Sequence, residues 1–298
     1  MKEDGKSDIR GGLHDDAPGM AASFDRHGAD TGFAATSELD LPEAQATASV
    51  LRLGGGVPGW RTRLGLLSPD DGINDDEFWH YLPDGVSLIF TRYRTATRFD
   101  PISPDMVDRY ADLEPILDAA ETLRITRPGA IVFLCNSCSF VRGVGGDVKI
   151  SAAIRRAVDI PATTISTAQV QALRTLGVQR VAVAGPYPPD VTQLLVDFLE
   201  GHGFEVTGSQ SACMETEWQI GNSTPSVWYD LARAVNSARA ECVLLACSGI
   251  RTAAIMEPLE TDLGKPVVSA PAVSIWAALR LAGVKAPVFG RGVLLAEY

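Results

Sequence analysis

Short apolar runs that alternate with helical patterns constrain the fold of this chain more than any other feature. Segments 130–134 and 242–246 are apolar throughout, without the polar–apolar alternation of a half-exposed strand. Such strands are covered on both faces, which is typical of parallel sheets joined by helices. The sequence therefore predicts an α/β fold in which parallel sheets are flanked by helices. The predicted strands are 64–68, 86–91, 130–135, 162–166, 181–185, 204–207, 242–247 and 266–269. The predicted helices include 104–124, 150–158, 169–176, 189–201, 225–239, 255–263 and 273–281.

These elements recur along the chain in the same order. The segment AIVFLCNS at 130–137 is echoed by CVLLACSG at 242–249, and LGLLSP at 64–69 is echoed by VAVAGP at 181–186. A third pair joins IPATTISTA at 160–168 to KPVVSAPA at 265–272. The two members of each pair lie much further apart in sequence than the roughly 20 to 50 residues of a solenoid repeat. This spacing indicates two related half-domains. We therefore expect two pseudo-symmetric lobes, 61–168 with 271–298 and 169–270.

Composition limits the classes of function that remain. Among 298 residues, 26 are Lys or Arg and 37 are Asp or Glu, which gives a net charge of -11 without any basic stripe. A nucleic-acid partner is therefore not expected, because the phosphate backbone would be repelled. No apolar run approaches the roughly 18 residues of a membrane span, so no membrane partner is expected either.

The first 60 residues differ from the rest and contain few aromatic side chains. Such a segment buries too little apolar surface to offset its ordering entropy, so we predict a disordered acidic tail for 1–60. It lacks the apolar core of a secretory signal. Five cysteines are too few, and odd in number, for a disulfide scaffold, which favours a cytoplasmic location.

Two cysteines, Cys135 and Cys247, carry the strongest chemical signal. Each ends an apolar predicted strand at equivalent places in the repeat, and ligands of open parallel sheets bind beyond the carboxyl ends of strands. If the lobes face one another, two thiols flank one pocket, where one attacks carbon or removes a proton and the other protonates the opposite face. A single cysteine in such a place is more often a small core hydrophobe, and we interpret Cys213 and Cys242 as structural.

Other arrangements point less clearly to chemistry. Cys135 and Cys138 form a C-x-x-C pair, but we do not favour a redox role, which would place the pair at a helix start in a much smaller domain. The four histidines are scattered, so no metal site is expected. No glycine-rich nucleotide fingerprint is present, so no cofactor is expected. Small polar residues that follow each cysteine, and Tyr187 after the strand 181–185, are candidate donors to a carboxylate, although such residues are also ordinary turn material.

From about Leu64 to Tyr298 the chain resembles the aspartate/glutamate racemase superfamily, and within it the arylmalonate decarboxylase and maleate isomerase branch. The resemblance rests on CNSCSFVRG at 135–143, TTISTA at 163–168, ALRTLGV at 172–178, GPY at 185–187, LLACSGIRT at 244–252, LGKPVVS at 263–269 and WAALRLAG at 276–283. It implies an enzyme that needs neither cofactor nor metal, with two α/β lobes and an active site between them for a small carboxylate substrate.

The resemblance also implies roles for individual residues. Isomerases and racemases of this superfamily use one cysteine from each lobe, whereas the decarboxylases keep only the second and have glycine at the first position. Cys135 and Cys247 match both positions, which favours an isomerase or racemase. The residues that hold a substrate carboxylate in the family are matched by Asn136, Ser137, Tyr187 and Ser248, the last through its backbone N–H.

One loop departs from the isomerase pattern. Maleate isomerases carry an asparagine after the first strand, where this chain has Asp71, with Asn74 nearby but displaced. An aspartate would repel a dicarboxylate and would suit an ammonium group, while Pro69 and Gly72 fit the decarboxylases better. Three reactions therefore stay open: maleate-type isomerisation, racemisation of an amino acid, and decarboxylation of a substituted malonate with Cys247 as proton donor. A non-catalytic binding protein of the same fold is a further hypothesis, and a homo-oligomer is the base-rate expectation.

Overall fold

Two parallel sheets organise the computed structural model, which describes residues 59–95 and 100–298. The predicted acidic tail lies outside the described residues, apart from Gly59 and Trp60. The first sheet has the order β2-β1-β3-β4 and contains β1 (Thr62–Pro69), β2 (Val86–Tyr93), β3 (Ala130–Phe133) and β4 (Ala162–Thr164). The second has the order β6-β5-β7-β8 and contains β5 (Arg180–Gly185), β6 (Glu205–Ser211), β7 (Cys242–Leu245) and β8 (Val267–Ser269).

The duplication predicted from the sequence is confirmed by the equivalent strand orders. The three echoed segments fall on corresponding strands, β1 with β5, β3 with β7 and β4 with β8. All neighbouring strands pair in parallel, as the unbroken apolar runs indicate. Every residue of β3 and β7 is buried, because each lies at the centre of its sheet with helices on both faces.

Helices connect the strands and cover both sheets. Those in the described residues are α1 (Asp75–Trp79), α2 (Pro104–Tyr110), α3 (Leu113–Arg124), α4 (Asn136–Phe140), α5 (Gly146–Val158), α6 (Ile165–Thr175), α7 (Pro189–Gly201), α8 (Glu217–Gly221), α9 (Pro225–Val235), α10 (Met256–Leu263), α11 (Ala270–Leu281) and α12 (Val293–Glu297). The seven predicted helices are present, but 104–124 is two helices, because the chain turns at Ala111 and Asp112 is extended. The helices α1, α4, α8 and α12 were not predicted, since five residues are too few to display a helical period.

The ends of β3 and β7 differ from the prediction in the same way. Leu134 donates its backbone N–H to Leu67 and Ala246 donates to Ala184, and these are the last links to the neighbouring strands. The chain then leaves each sheet, so the expectation that Cys135 and Cys247 are the final strand residues was wrong. Both cysteines lie in the loops just beyond the strands, where their side chains no longer belong to a sheet face.

Helix α11 packs against β3 and β4 of the first sheet and also against β8 of the second. Our assignment of 271–298 to the first lobe, and the other lobe boundaries, therefore stay predictions. Equivalent side chains start the helices that follow the edge strands: Thr164 caps α6 and Ser269 caps α11. None of the described helices is both long and apolar enough to cross a membrane.

Candidate active site

A small pocket lies where the carboxyl ends of the two sheets face each other. Its wall comes from the loops after β1 and β3 of the first sheet and after β5 and β7 of the second, and Phe78, Tyr110 and Glu217 complete it from short helices. These loops flank the points where the strand order reverses, the usual ligand position in open α/β sheets. The seven residues predicted for the site all line it: Asp71, Cys135, Asn136, Ser137, Tyr187, Cys247 and Ser248. The accessible cavity is about 40 Å³, which is room for a few water molecules.

Hydrogen bonds between the lobes hold the second cysteine in place. The backbone N–H of Cys247 donates to Asn136 Oδ1 over 2.9 Å. Ser248 Oγ donates to the carbonyl of Leu134 over 2.6 Å, and Asn74 Nδ2 donates to the carbonyl of Ser248 over 2.7 Å. Asn74 is the residue that we had judged displaced from the family's asparagine position. It is buried in the pocket wall and joins the first-lobe loop to the second-lobe cysteine.

Cys247 has an unusual backbone and a buried thiol. Its φ is +87°, in the left-handed region that costs a non-glycine residue free energy and that often marks a functional site. Burial, and after it the negative charge of Glu217, raises the pKa of the Cys247 thiol well above its ordinary value. The N–H of Gly249, 3.4 Å from the sulfur, opposes this effect only in part. The sequence leaves the direction of this shift open, because helix dipoles lower a thiol pKa and burial raises it. In the structure burial has the larger effect, and a protonated thiol suits a proton donor.

Cys135 is joined to Cys138 by a disulfide bond. Cys135 is the N-cap of α4, and Cys138 lies one turn further along the same helix, so their side chains meet on one face. The C-x-x-C pair therefore stands at a helix start, as a redox pair does, but in a two-sheet fold and not in a much smaller domain. In this oxidised form Cys135 has no thiolate to offer, and its proposed role as a nucleophile requires reduction.

Asn136 is committed to the architecture of the site. Its amide nitrogen donates to Ser166 Oγ and Gln169 Oε1, and its amide oxygen accepts from Gln169 Nε2 as well as from Cys247. Both hydrogens and both acceptor positions of the amide are thus occupied. The side chain of Asn136 therefore positions the two cysteine loops, and the predicted role of Asn136 as a carboxylate donor would use its backbone N–H at the start of α4.

Tyr187 presents a buried hydroxyl to the pocket. Its ring packs edge-on against Phe140, with centroids 5.8 Å apart, and the hydroxyl lies beside Cys247 and Ser137. Among the described residues this hydroxyl makes no hydrogen bond of normal geometry, although Cys247 and Ser137 are near enough to influence it. Buried polar groups are rarely left in this way, so a ligand atom is the natural partner. Burial raises the pKa of Tyr187 well above its ordinary value, so the group is a neutral donor.

Asp71 and Glu217 bring two carboxyl groups into the same pocket. Tyr110 donates its hydroxyl to Asp71 Oδ2 over 2.8 Å, and burial nevertheless raises the pKa of Asp71. Burial, followed by the charge of Asp71, raises the pKa of Glu217 to about 8. Part of the Glu217 residue remains exposed, but its carboxyl oxygen Oε2 lies beside Gly249 in the pocket wall. No Lys, Arg or His is among the described residues that line this cavity.

Sequence reasoning missed Glu217. The signal was a capping box, in which Thr216 accepts from the backbone N–H of Gln219 and Gln219 reaches back to Thr216. That pattern predicts a helix beginning at Glu217, but nothing in it places the helix over a pocket formed by strands far away in sequence. Within the described ranges, no group of three or more His, Cys, Asp or Glu is arranged to hold a metal ion.

Comparison with known proteins places this geometry in a family. The family model for arylmalonate decarboxylase matches residues 100–295. Arylmalonate decarboxylase from Bordetella bronchiseptica is 34% identical over 195 residues, which cover 64% of this chain and 80% of that protein. Maleate isomerase from Nocardia farcinica is 23% identical over 247 residues, which cover 79% of this chain and 96% of that protein.

Solved structures agree with this placement. The crystal structure of a double mutant of arylmalonate decarboxylase in a liganded form superposes with a TM-score of 0.71 and 29% identity, covering 81% of this chain and all of that one. The resemblance described from the sequence is thereby confirmed, as is the two-lobed α/β fold. The chain belongs to the arylmalonate decarboxylase family, whose relatives include maleate isomerases.

Proposed function

We propose that this enzyme isomerises a small carboxylate with one cysteine from each lobe, without a cofactor. The observation that carries the proposal is the placement of Cys135 and Cys247 on one small pocket, each in the loop after the central strand of its sheet. Arylmalonate decarboxylases resemble this chain but have glycine where Cys135 stands. A second cysteine at that point supports a reaction that needs two sulfur atoms.

For an unsaturated substrate, the reduced Cys135 thiolate adds to one alkene carbon. The electron pair of the π bond moves onto the adjacent carboxylate as an enediolate, so the former double bond becomes single and rotates. The Cys247 thiol protonates the carbon that carries the charge and takes the same proton back before Cys135 leaves and the double bond re-forms. For an amino acid, one cysteine would remove the α-proton and the other would return a proton on the opposite face, with Asp71 facing the ammonium group.

Decarboxylation of a substituted malonate is the second candidate. Loss of carbon dioxide leaves an enediolate that needs a single proton, and the protonated thiol of Cys247 suits that task. The 34% identity to arylmalonate decarboxylase favours this candidate, whereas the presence of Cys135 favours the first. A cytoplasmic location and a homo-oligomeric state stay predictions.

Proton NMR of the reduced enzyme in D2O with maleate, substituted malonates and amino acids separates these reactions. Conversion of maleate to fumarate supports isomerisation, and deuterium at an amino acid α-carbon supports racemisation. Loss of one carboxylate from a malonate, with deuterium entering at the same carbon, supports decarboxylation instead. Absence of any change across the panel would contradict all three and favour a binding protein of the same fold.

A further inference from the structure

The carboxyl group of Glu217 borders the loop of the proton-donating cysteine. Glu217 Oε2 lies 3.8 Å from the position that a Cβ atom on Gly249 would occupy. No side chain therefore separates the Glu217 carboxyl group from Gly249. Glu217, Cys247 and Tyr187 all line the same pocket. Among the described residues, the Glu217 side chain makes no hydrogen bond. It is thus a polar group in the site that has no structural partner there.

The surroundings of Glu217 favour its neutral form. The titratable groups that interact electrostatically with Glu217 are Asp71, Tyr93, Tyr110, Tyr187 and Cys247, and all of them except Tyr93 line the same pocket. The phenols and the thiol are neutral at pH 7, so Asp71 is the only other acid among these groups that can share a negative charge with Glu217. Tyr110 donates a hydrogen bond to Asp71, which stabilises the anionic form of Asp71. The proton of the acidic pair therefore resides on Glu217, whose pKa is about 8.

A substrate carboxylate needs hydrogen-bond donors in this pocket. Either reaction proposed above develops further negative charge on that carboxylate as the enediolate forms. Within residues 59–95 and 100–298 no cationic side chain lines the cavity, and the amide of Asn136 is already occupied. The unpartnered hydroxyl of Tyr187 is one available donor. A protonated carboxyl group is another, a device known from enzymes that keep a buried acid neutral to donate a hydrogen bond.

We propose that Glu217 is a further catalytic residue, a neutral acid that donates a hydrogen bond to the carboxylate of the substrate beside Cys247. This role rests on the proposed function, because it requires a carboxylate substrate. It assigns the pocket two neutral O–H donors, Glu217 and Tyr187, in place of an arginine or lysine. Ionisation of Glu217 removes a donor and adds a repelling charge, so substrate turnover falls as Glu217 loses its proton.

The test compares Glu217→Gln, which keeps a donor, with Glu217→Leu, which has none. The exposed Glu215→Gln is the matched control. We expect kcat/KM of the wild type and of E215Q to fall as the pH rises through about 8, and E217Q to lack this fall. At pH 7 we expect E217L to lose about 10- to 1,000-fold in kcat/KM, the range for one stabilising donor, and E217Q to stay within about 10-fold of the wild type. If E217Q loses as much as E217L, the site needs a negative charge and the proposal is overturned.

Infrared difference spectroscopy tests the protonation state without turnover. We expect the carbonyl band of a protonated carboxylic acid at pH 7 in the wild type and E215Q, its loss as the pH rises through about 8, and its absence in E217Q. A spectrum at pH 7 without this band overturns the proposal. If the band is present but no compound is turned over, the proposed function fails while the neutral state of Glu217 stands.

Discussion

Glu217 and Cys247 show how burial changes two titratable groups that elsewhere would behave differently. Burial is the largest cause of the raised pKa of both, and each lies inside a pocket formed by the two lobes. A carboxyl group and a thiol that stay protonated at neutral pH deliver protons and hydrogen bonds instead of charge. The chemistry of this site is therefore set by how much water the pocket excludes.

The raised pKa of Glu217 makes stability depend on pH. The folded state keeps this proton up to about pH 8, whereas the ordinary pKa is 4.5, so the contribution of Glu217 to stability is lost as the pH rises between these values. We expect Glu217→Gln to raise Tm relative to the wild type more at pH 8.5 than at pH 5. We expect the stabilisation by E217Q at pH 8.5 to exceed its stabilisation at pH 5 by at least about 1 kcal/mol, which is roughly 2–4 °C in Tm. Thermal unfolding measures it, with Glu215→Gln as control; an equal effect of E217Q at both pH values would contradict the buried-acid assignment.

At the scale of elements, helix α4 combines two functions in five residues. It begins at Asn136, which holds the Cys247 loop, and it carries Cys138, which forms the disulfide with Cys135. Residues 135–138 thus contain the proposed nucleophile Cys135, the positioning residue Asn136 and Cys138, which blocks the nucleophile in the disulfide. The resemblance identified the first cysteine, but nothing in it indicated that Cys138 would reach that sulfur.

The disulfide predicts that activity depends on reduction. Enzyme isolated without reductant should have at most about a tenth of the activity of the reduced enzyme. Dithiothreitol reduces the disulfide by donating two electrons, which frees both thiols, and is itself oxidised to a cyclic disulfide. Cys138→Ser should be equally active with and without reductant. Exposed Cys213→Ser is the control and should keep the wild-type dependence. Full activity of wild-type enzyme whose disulfide is verified by mass spectrometry would contradict a nucleophilic role for Cys135.

Helix α1 provides a second link between elements that are far apart in sequence. Glu77 Oε1 accepts hydrogen bonds from the hydroxyl of Tyr81 and from the backbone N–H groups of Thr252 and Ala253. Its neighbour Asp76 forms an ion pair with Arg251 in the same loop, but the Asp76 side chain is 64% exposed. The two acids thus join the same helix to the same loop in different environments.

We expect Glu77→Ala to destabilise the protein by about 3–5 kcal/mol, because it leaves buried donors without an acceptor. Asp76→Ala should cost about 0–1 kcal/mol, since exposed ion pairs contribute little. Urea unfolding measures both, and Glu77→Gln, which keeps one acceptor oxygen, should fall between them. Equal losses in the two alanine variants would contradict the difference that burial makes.

At the scale of the whole molecule, duplication explains where the site lies. Two sheets with equivalent strand orders bring the loops after β1, β3, β5 and β7 to one pocket, and the helix after β6 adds Glu217. The strands, the longer helices and the paired cysteines could be predicted, because the apolar runs and the repeated segments are patterns of residues that are close together in sequence. The C-x-x-C spacing marked Cys135 and Cys138 as a possible pair, but the position of the Glu217 carboxyl group and the role of Asn74 depend on contacts between distant segments. No local pattern reports such contacts.

Paired cysteine variants test the central claim, the use of one cysteine from each lobe. With the substrate identified by NMR, the reduced Cys135→Ala and Cys247→Ala enzymes should each lose at least about 100-fold in turnover, the lower range for a positioned proton-transfer group. Cys242→Ala, which alters a buried cysteine of β7 outside the pocket, should retain turnover close to that of the wild type. The measurement is the rate of product formation in D2O for the four proteins. Loss in both pocket variants supports the two-cysteine reaction, and full turnover by Cys135→Ala would contradict it and leave Cys247 as the single proton donor of a decarboxylase.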